Sequence, residues 1–201
     1  MLRTIGGLVL SLLMIASLQA KTILVVGDSL SAGYGLIDKQ GWVDLLAVKL
    51  KQQSLPFEVF NISTSGDTSQ NGLTKVPQAL KAHQPQVVIV ELGANDGLRG
   101  LAINALKDNL EQIINLSQQS GAQVLLLATR LPLNYGAKYL SQFDKVYQDL
   151  ATEKKVVLVP MFLQGIAGNR SLMQNDGLHP NQKAQGQILE NVWPKLLPLL
   201  K

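Results

Sequence analysis

Five short apolar runs, separated by longer stretches with helical spacing, dominate the chain after its first twenty residues. The runs cover residues 22–26, 57–61, 87–92, 124–128 and 156–159. Four of them are almost continuous in Val, Ile and Leu, as expected of strands buried on both faces of a parallel sheet. The second run carries Glu58 in its middle, so we place it at the edge. The alternation of strands and helices predicts an α/β fold with helices on both faces of the sheet.

The helical spacing and the edge strand together restrict the topology. Apolar residues recur at three- to four-residue steps over 42–50, 103–114 and 140–150, and a last helix is expected from about 182 to 197. Right-handed crossovers then favour the flavodoxin-like strand order 2-1-3-4-5, whose switch point lies between strands one and three. The residues just after the first three strands would surround one crevice there. No internal repeat or linker indicates a second domain, so residues 21–201 are predicted to form one domain.

Composition excludes several classes of function. The formal charge of +4 is spread along the 201 residues without a Lys/Arg block, so nucleic-acid binding is not indicated. The sequence contains no cysteine, which excludes a thiol nucleophile, a disulfide scaffold and thiolate metal sites. With two histidines in the chain, a zinc cluster is not expected either.

The first twenty residues resemble a secretory signal peptide. Arg3 precedes an apolar stretch over 5–18, and Gln19, Ala20 and Lys21 follow it. The alternative is a membrane anchor, but the stretch is shorter than the roughly 20 residues of a spanning helix. Leu18 stands where a small residue is expected before the cut, so the cleavage position stays open. Cleavage near Lys21 would release the protein into the periplasm or the medium, with no stable membrane span.

A candidate nucleophile comes directly after the first apolar run. The segment Gly27-Asp28-Ser29-Leu30 places a serine hydroxyl at the carboxyl end of a buried strand, where open α/β sheets hold their active sites. Serine needs a base with a pKa near the working pH, which points to histidine. His83 precedes strand three and lies on the remote side of the sheet. His179 follows strand five, so we expect it to be the base, oriented by Asp176.

Three groups are candidates for stabilising an oxyanion. They are the backbone N–H groups of Ser29 and Gly66 and the side-chain amide of Asn95. Taken alone, Gly66 has the alternative role of turning the chain, and Asn95 that of capping a helix. Their positions at three successive strand ends favour the catalytic interpretation. Asp28 and Asp96 are instead expected to bond the backbone of their turns.

These blocks resemble the SGNH hydrolases, also called GDSL esterases, and within them the multifunctional bacterial thioesterase and lysophospholipase members. The resemblance covers the whole mature chain through the segments Gly27-Asp28-Ser29-Leu30-Ser31, Gly66, Gly93-Ala94-Asn95-Asp96 and Asp176-Gly177-Leu178-His179-Pro180. It implies a three-layer α/β/α enzyme that hydrolyses fatty acyl thioesters, carboxyl and aryl esters and lysophospholipids through an acyl-enzyme on Ser29. It also implies that His179 and Asp176 complete the triad. No cofactor and no metal are implied, and a monomer is expected.

The resemblance also suggests residues that contact the substrate. Gly97, Leu98, Arg99 and Gly100 match a mobile substrate-contacting loop, although an ordinary strand-to-helix connection is the alternative. Leu131, Leu133 and Tyr135 are candidates for an acyl groove. Two other functions stay open, namely a carbohydrate acetylesterase of the same family and a secreted lipid-binding module without turnover.

Overall fold

The computed structural model describes residues 21–201 as a five-stranded parallel sheet between helices. The predicted signal peptide lies outside the described residues. The strands are β1 (Lys21–Gly27), β2 (Phe57–Asn61), β3 (Val87–Glu91), β4 (Gln123–Leu127) and β5 (Val157–Val159). Their order is β2-β1-β3-β4-β5 and every pairing is parallel. The predicted strands, the edge position of β2 and the 2-1-3-4-5 order are therefore confirmed.

Within residues 21–201, seven α-helices connect and cover the strands. They are α1 (Ser29–Ala32), α2 (Trp42–Gln52), α3 (Ser69–His83), α4 (Ala94–Leu98), α5 (Ile103–Gln119), α6 (Ala137–Lys154) and α7 (Gln185–Leu196). Short 3₁₀ turns precede α6 and α7 and follow α7, at Leu133–Tyr135, Gln182–Ala184 and Leu197–Leu200. The last helix therefore starts as a 3₁₀ turn at residue 182, where the sequence predicted continuous helix. None of the described helices is long and apolar enough to cross a membrane.

The two faces of the sheet bury two separate cores because successive side chains of a strand point in opposite directions. On one face, Ile23 and Val25 of β1 pack with residues of α2 and α7, such as Trp42 and Val192. On the other face, Leu24 and Val26 pack with residues of α3, α5 and α6. Side chains from β3 and β4 alternate in the same way. This division makes the fold a three-layer α/β/α sandwich, as expected.

The carboxyl ends of the strands all point to one edge of this sandwich, because the sheet is parallel. The loops that follow β1, β2, β3, β4 and β5 therefore meet above that edge. Backbone hydrogen bonds extend the order into the loops: Thr64 N donates to Gly27 O at 3.1 Å and Phe162 N donates to Ala128 O at 3.1 Å. The candidate site residues come from four of these five loops directly and from the fifth through His179.

Candidate active site

The nucleophile turn is held in place by the residues on either side of Ser29. Asp28 caps α1, and its Oδ1 accepts a hydrogen bond from Leu30 N at 3.0 Å. Gly27 precedes it, and a Cβ at this position would lie 2.8 Å from Ser31 Cβ and 2.9 Å from Glu91 Oε2. Only glycine fits there without displacing the turn. The helix α1 is followed by the C-cap residue Gly33, whose φ of 75° lies in the left-handed region.

Ser29, His179 and Asp176 form one continuous line of hydrogen bonds. Ser29 Oγ lies 2.9 Å from His179 Nε2. On the other side of the ring, Nδ1 lies 2.7 Å from Asp176 Oδ2. The second carboxylate oxygen of Asp176 accepts hydrogen bonds from Leu178 N at 2.9 Å and from His179 N at 3.0 Å. Two residues that are 150 positions apart in the chain thus meet at proton-transfer distance.

The environment of Asp176 favours its charged form. Partial burial alone raises the pKa of this carboxyl. The hydrogen bonds from the backbone and ring of His179 and from Leu178 N outweigh it and lower the pKa to about 2. Asp176 is therefore ionised over the whole neutral range, and it favours the tautomer of His179 that carries a proton on Nδ1. In that tautomer Nε2 is free to accept the proton of Ser29.

Further contacts fix the position of the His179 ring. Gln174 N donates to His179 O at 2.7 Å, and Gly177 N donates to Gln174 O at 3.0 Å, so the turn is closed by backbone bonds. The ring of Tyr34 lies against the imidazole, with 4.5 Å between the ring centroids. His83 lies at the end of α3 and stacks on Phe60 at 4.1 Å, away from this site.

The predicted oxyanion donors lie around the same turn. Asn95 Nδ2 donates to Asp28 Oδ2 at 3.1 Å and to Asp67 O at 3.0 Å, so both of its amide hydrogens are engaged. Gly66 has a φ of 86°, which a residue with a side chain rarely adopts. Its carbonyl accepts a hydrogen bond from Arg99 Nη2 at 2.8 Å. Loops after β2 and β3 are thus tied to the nucleophile turn.

Three buried carboxyl groups support these loops. Asp28 bonds the backbone of its own turn, whereas Asp96 reaches α3, where it accepts from Ser69 N at 2.8 Å and from Ser69 Oγ at 2.6 Å. The contact expected of Asp28 is confirmed, whereas Asp96 bonds the start of α3 and not the backbone of its own turn. Glu91, at the end of β3, is completely buried beneath the nucleophile turn. Sequence reasoning missed Glu91.

A cavity of about 570 Å³ opens beside Ser29 and is mainly apolar. Of the predicted substrate residues, Leu98, Leu131 and Leu133 line it. Sequence reasoning missed several other lining residues, which come from the loops after β4 and β5: Thr129, Arg130, Leu163, Ala167, Gly168 and Met173. The rule that placed Ser29 and Asn95, position after a strand end, would have found Thr129 and Arg130, which follow β4 closely, whereas the other four lie farther along the loop after β5. Leu133 is 88% exposed at the mouth of this cavity.

The other predicted substrate residues have different contacts. Gly97 is buried in α4, and a Cβ there would lie 2.5 Å from Leu131 Cδ1, so this glycine permits close packing. Gly100 has a φ of 64° and open space around it, as a turn requires. Arg99 bonds the Gly66 carbonyl, and Tyr135 OH donates to Leu98 O at 2.8 Å. These four residues are outside the lining of the cavity and support the loops that form it.

Comparison with known proteins agrees with this geometry. Residues 25–186 match the GDSL-like lipase/acylhydrolase family. The chain belongs to this family. The match spans all five strands from the middle of β1 onward and includes Ser29, Asp176 and His179. The described residues contain no group of three or more His, Asp or Glu side chains placed to share a metal ion.

Individual relatives cover nearly the whole chain. It is 46% identical to the esterase TesA of Pseudomonas aeruginosa over 98% of both chains. It is 42% identical to the thioesterase 1/protease 1/lysophospholipase L1 of Escherichia coli K12, over 96% of this chain and 91% of that protein. A crystal structure of TesA superposes with a TM-score of 0.87 at 48% identity, over 89% of this chain and 99% of that chain.

Proposed function

We propose that this chain is a serine esterase and thioesterase that hydrolyses fatty acyl thioesters, carboxyl and aryl esters and lysophospholipids through an acyl-enzyme on Ser29. The observation that carries the proposal is the line of hydrogen bonds from Ser29 Oγ through His179 to Asp176. The names of the relatives, an esterase and a thioesterase/lysophospholipase, support the same class of reaction.

Acylation follows from the roles of these atoms. His179 Nε2 accepts the proton of Ser29 as Oγ attacks the acyl carbon and forms the new C–O bond. The carbonyl oxygen takes up the negative charge and accepts hydrogen bonds from the N–H groups of Ser29 and Gly66 and from Asn95 Nδ2. Since both amide hydrogens of Asn95 are engaged in the free protein, one of them changes partner when the oxyanion forms. His179 then protonates the departing thiolate or alkoxide.

Deacylation repeats the same steps with water as the nucleophile. His179 Nε2 takes a proton from the water, the water oxygen attacks the acyl carbon, and the Ser29–acyl bond breaks with return of the proton to Oγ. Asp176 stays ionised throughout and stabilises the imidazolium form of His179 in both halves of the reaction.

The cavity supports an acyl chain as the part of the substrate that is bound. Its apolar lining includes Leu30, Leu98, Leu131, Leu163 and Met173. An apolar wall stabilises methylene groups by about 0.8 kcal/mol each when they leave water. A sugar ring would leave its hydroxyl groups without partners along this wall, so the lining favours a fatty acyl substrate over an acetylated carbohydrate.

Turnover of matched substrates tests the proposal. Purified protein lacking residues 1–20 is compared with Ser29→Ala on palmitoyl-CoA, lysophosphatidylcholine, a p-nitrophenyl ester and acetylated xylan. We expect hydrolysis of the first three by the wild-type sequence and almost none by Ser29→Ala, with the fold intact by circular dichroism. Preference for acetylated xylan would favour the acetylesterase alternative, and acyl-chain binding without turnover would favour the lipid-binding one.

The location and assembly of the protein are part of the same proposal. The segment 1–20 is proposed to act as a signal peptide that is removed near Lys21 and exports a monomer to the periplasm or the medium. Intact mass of the protein from cell fractions tests the cleavage site, and size-exclusion chromatography with light scattering tests the monomer. A mass that retains residues 1–20 in the membrane fraction would favour the anchor alternative.

A further inference from the structure

The carboxyl group of Glu91 is unexplained by the proposed reaction. It is completely buried at the end of β3, directly beside the nucleophile turn. One of its oxygens, Oε2, accepts a hydrogen bond from Ser31 Oγ at 2.8 Å and a long one from Asp28 N at 3.4 Å. The other oxygen, Oε1, has no donor among the described residues although it is fully buried. A buried carboxylate oxygen without a donor is costly, so this arrangement requires a reason.

A proton on Oε1 gives that reason. A carboxylate accepts hydrogen bonds at both oxygens, whereas a neutral carboxylic acid has one oxygen that needs an acceptor instead. The acceptor assigned to this proton is the carboxylate of Asp28, a residue whose backbone N–H donates to Glu91 Oε2 at 3.4 Å and whose charge raises the pKa of Glu91. Asp28 in turn accepts from Leu30 N with Oδ1 and from Asn95 Nδ2 with Oδ2. The nucleophile turn and the Asn95 amide are thus connected to Glu91 through one carboxylate.

We propose that Glu91 is a neutral carboxylic acid that positions the Ser29 turn and the Asn95 amide by bonding Ser31 and Asp28. Burial and the adjacent charge of Asp28 raise the pKa of Glu91 well above its ordinary value, which agrees with the geometry. Burial also raises the pKa of Asp28, to about 6, although its hydrogen bonds with Leu30 N, Glu91 and Asn95 and the charge of His179 lower it. The inference rests on the roles proposed above for Ser29 and Asn95.

The neutral form matters because negative charge develops close by. With Glu91 protonated, Asp28 is the one charge of this pair at neutral pH. If Glu91 also lost its proton, two carboxylates would lie side by side next to the nucleophile turn. Their charge would oppose formation of the negatively charged tetrahedral intermediate. The other titratable groups around the pair are Tyr147 of α6, whose OH donates to Leu92 O at 2.8 Å, Asp96 of α4, and His179. Alkaline pH should therefore reduce kcat through Glu91.

Two substitutions separate positioning from bulk structure. Glu91→Gln is permanently neutral, since its amide oxygen accepts from Ser31 and its NH₂ group donates to Asp28. Glu91→Leu fills a similar volume without either bond. We expect Glu91→Leu to lower kcat on the order of 10- to 100-fold with little change in KM, as for a displaced catalytic group. The kcat of Glu91→Gln should be at least tenfold higher than that of Glu91→Leu. It should also stay unchanged at alkaline pH, where the wild-type kcat falls.

Stability gives a readout that does not depend on turnover. A group whose pKa is higher in the folded state than in the unfolded state stabilises the fold fully below the unfolded pKa. That contribution is lost as the pH rises towards the folded pKa. The difference in melting temperature between Glu91→Gln and the wild type should therefore shift in favour of Glu91→Gln as the pH rises above the ordinary pKa of a glutamate. Glu58→Gln makes the same chemical change at an exposed position of β2, and its difference from the wild type should not depend on pH in this way.

Infrared difference spectroscopy detects the proton directly. At neutral pH, the spectrum of the wild type minus that of Glu91→Gln should show the carbonyl stretch of a protonated carboxylic acid. The spectrum of the wild type minus that of Glu58→Gln should not show this band. Absence of that band, or an alkaline limb that is the same in Glu91→Gln as in the wild type, would overturn the proposal. So would a Glu91→Gln variant as inactive as Glu91→Leu. If Glu91→Leu fails to fold, the wild type and Glu91→Gln still decide the question. If the wild type turns over no acyl substrate, the proposed function fails, while the band and the melting curves still report the protonation of Glu91.

Discussion

Replacing Asp176 by Asn is expected to damage turnover more than replacing it by Ala. In the wild type, Asp176 Oδ1 accepts two backbone hydrogen bonds and Oδ2 accepts from His179 Nδ1. An asparagine has one oxygen, which the two backbone N–H groups hold. Its NH₂ group then faces Nδ1 and donates to it. The proton of the neutral ring moves to Nε2, where it points at Ser29 Oγ and prevents His179 from acting as a base.

The magnitude follows from the bonds that hold the amide in that orientation. Turning the amide over would sacrifice two backbone hydrogen bonds of about 0.5–1.5 kcal/mol each, or about 1–3 kcal/mol in total. This range corresponds to roughly a 5- to 160-fold excess of the wrong tautomer. Asp176→Ala has no such bias, because water can reach Nδ1 at a side chain that is 38% exposed in the wild type. The backbone bonds from Gln174 and Gly177 keep the turn in place.

The assay is steady-state hydrolysis of a p-nitrophenyl ester at one neutral pH by the wild type, Asp176→Ala and Asp176→Asn. Both variants lose the charge that stabilises the imidazolium, so both should have a lower kcat than the wild type. The ratio of kcat between the Ala and Asn variants should fall near the 5- to 160-fold range estimated from the hydrogen bonds. Equal kcat values, or a higher kcat for Asp176→Asn, would refute the tautomer argument, provided that circular dichroism shows both variants folded.

Four further predictions concern individual residues. Asn95→Ala should lower kcat on the order of 10²-fold with a small change in KM, because the amide acts mainly in the transition state; unchanged turnover would exclude it as an oxyanion donor. Gly97→Ala should lower the free energy of unfolding by about 1–3 kcal/mol through the clash with Leu131, measured by urea denaturation. Gly186→Ala, at an exposed helix position with open space, should raise it by up to about 1 kcal/mol. Because the pKa of Asp176 is lowered to about 2 in the folded state, its contribution to stability is present above the unfolded value of 3.8 and is lost as the pH falls through about 2. Melting curves in acid should accordingly show a smaller loss of stability for Asp176→Asn than for the wild type, and parallel curves would contradict the lowered pKa.

The strands were predictable because burial on both faces leaves a continuous apolar run, and the order followed from the charged edge strand and the handedness rule. The helix α3 was harder to delimit from sequence. Its apolar residues are few, and Pro77 lies inside it, where local propensity favours a break. Packing of Val76, Ala79 and Leu80 against the sheet outweighs that propensity.

The site divides in a similar way. Four site residues were predicted because each follows a strand end or lies in a segment that resembles the SGNH hydrolases, namely Ser29, Gly66, Asn95 and His179. The structure brings Ser29, Asp176 and His179 within hydrogen-bond distance. Tyr34 beside His179 depends on the path of an irregular loop, which the sequence does not specify. Glu91 was missed because it is a single acidic residue within the apolar run 87–92, and only tertiary packing shows that its side chain is buried.

Covalent labelling with a fluorophosphonate probe tests most directly whether His179 activates Ser29. We expect mass spectrometry to find one adduct on Ser29 in the wild type, none in Ser29→Ala, and much slower labelling in His179→Ala. An adduct on a different residue, or labelling of His179→Ala at the wild-type rate, would contradict the central claim.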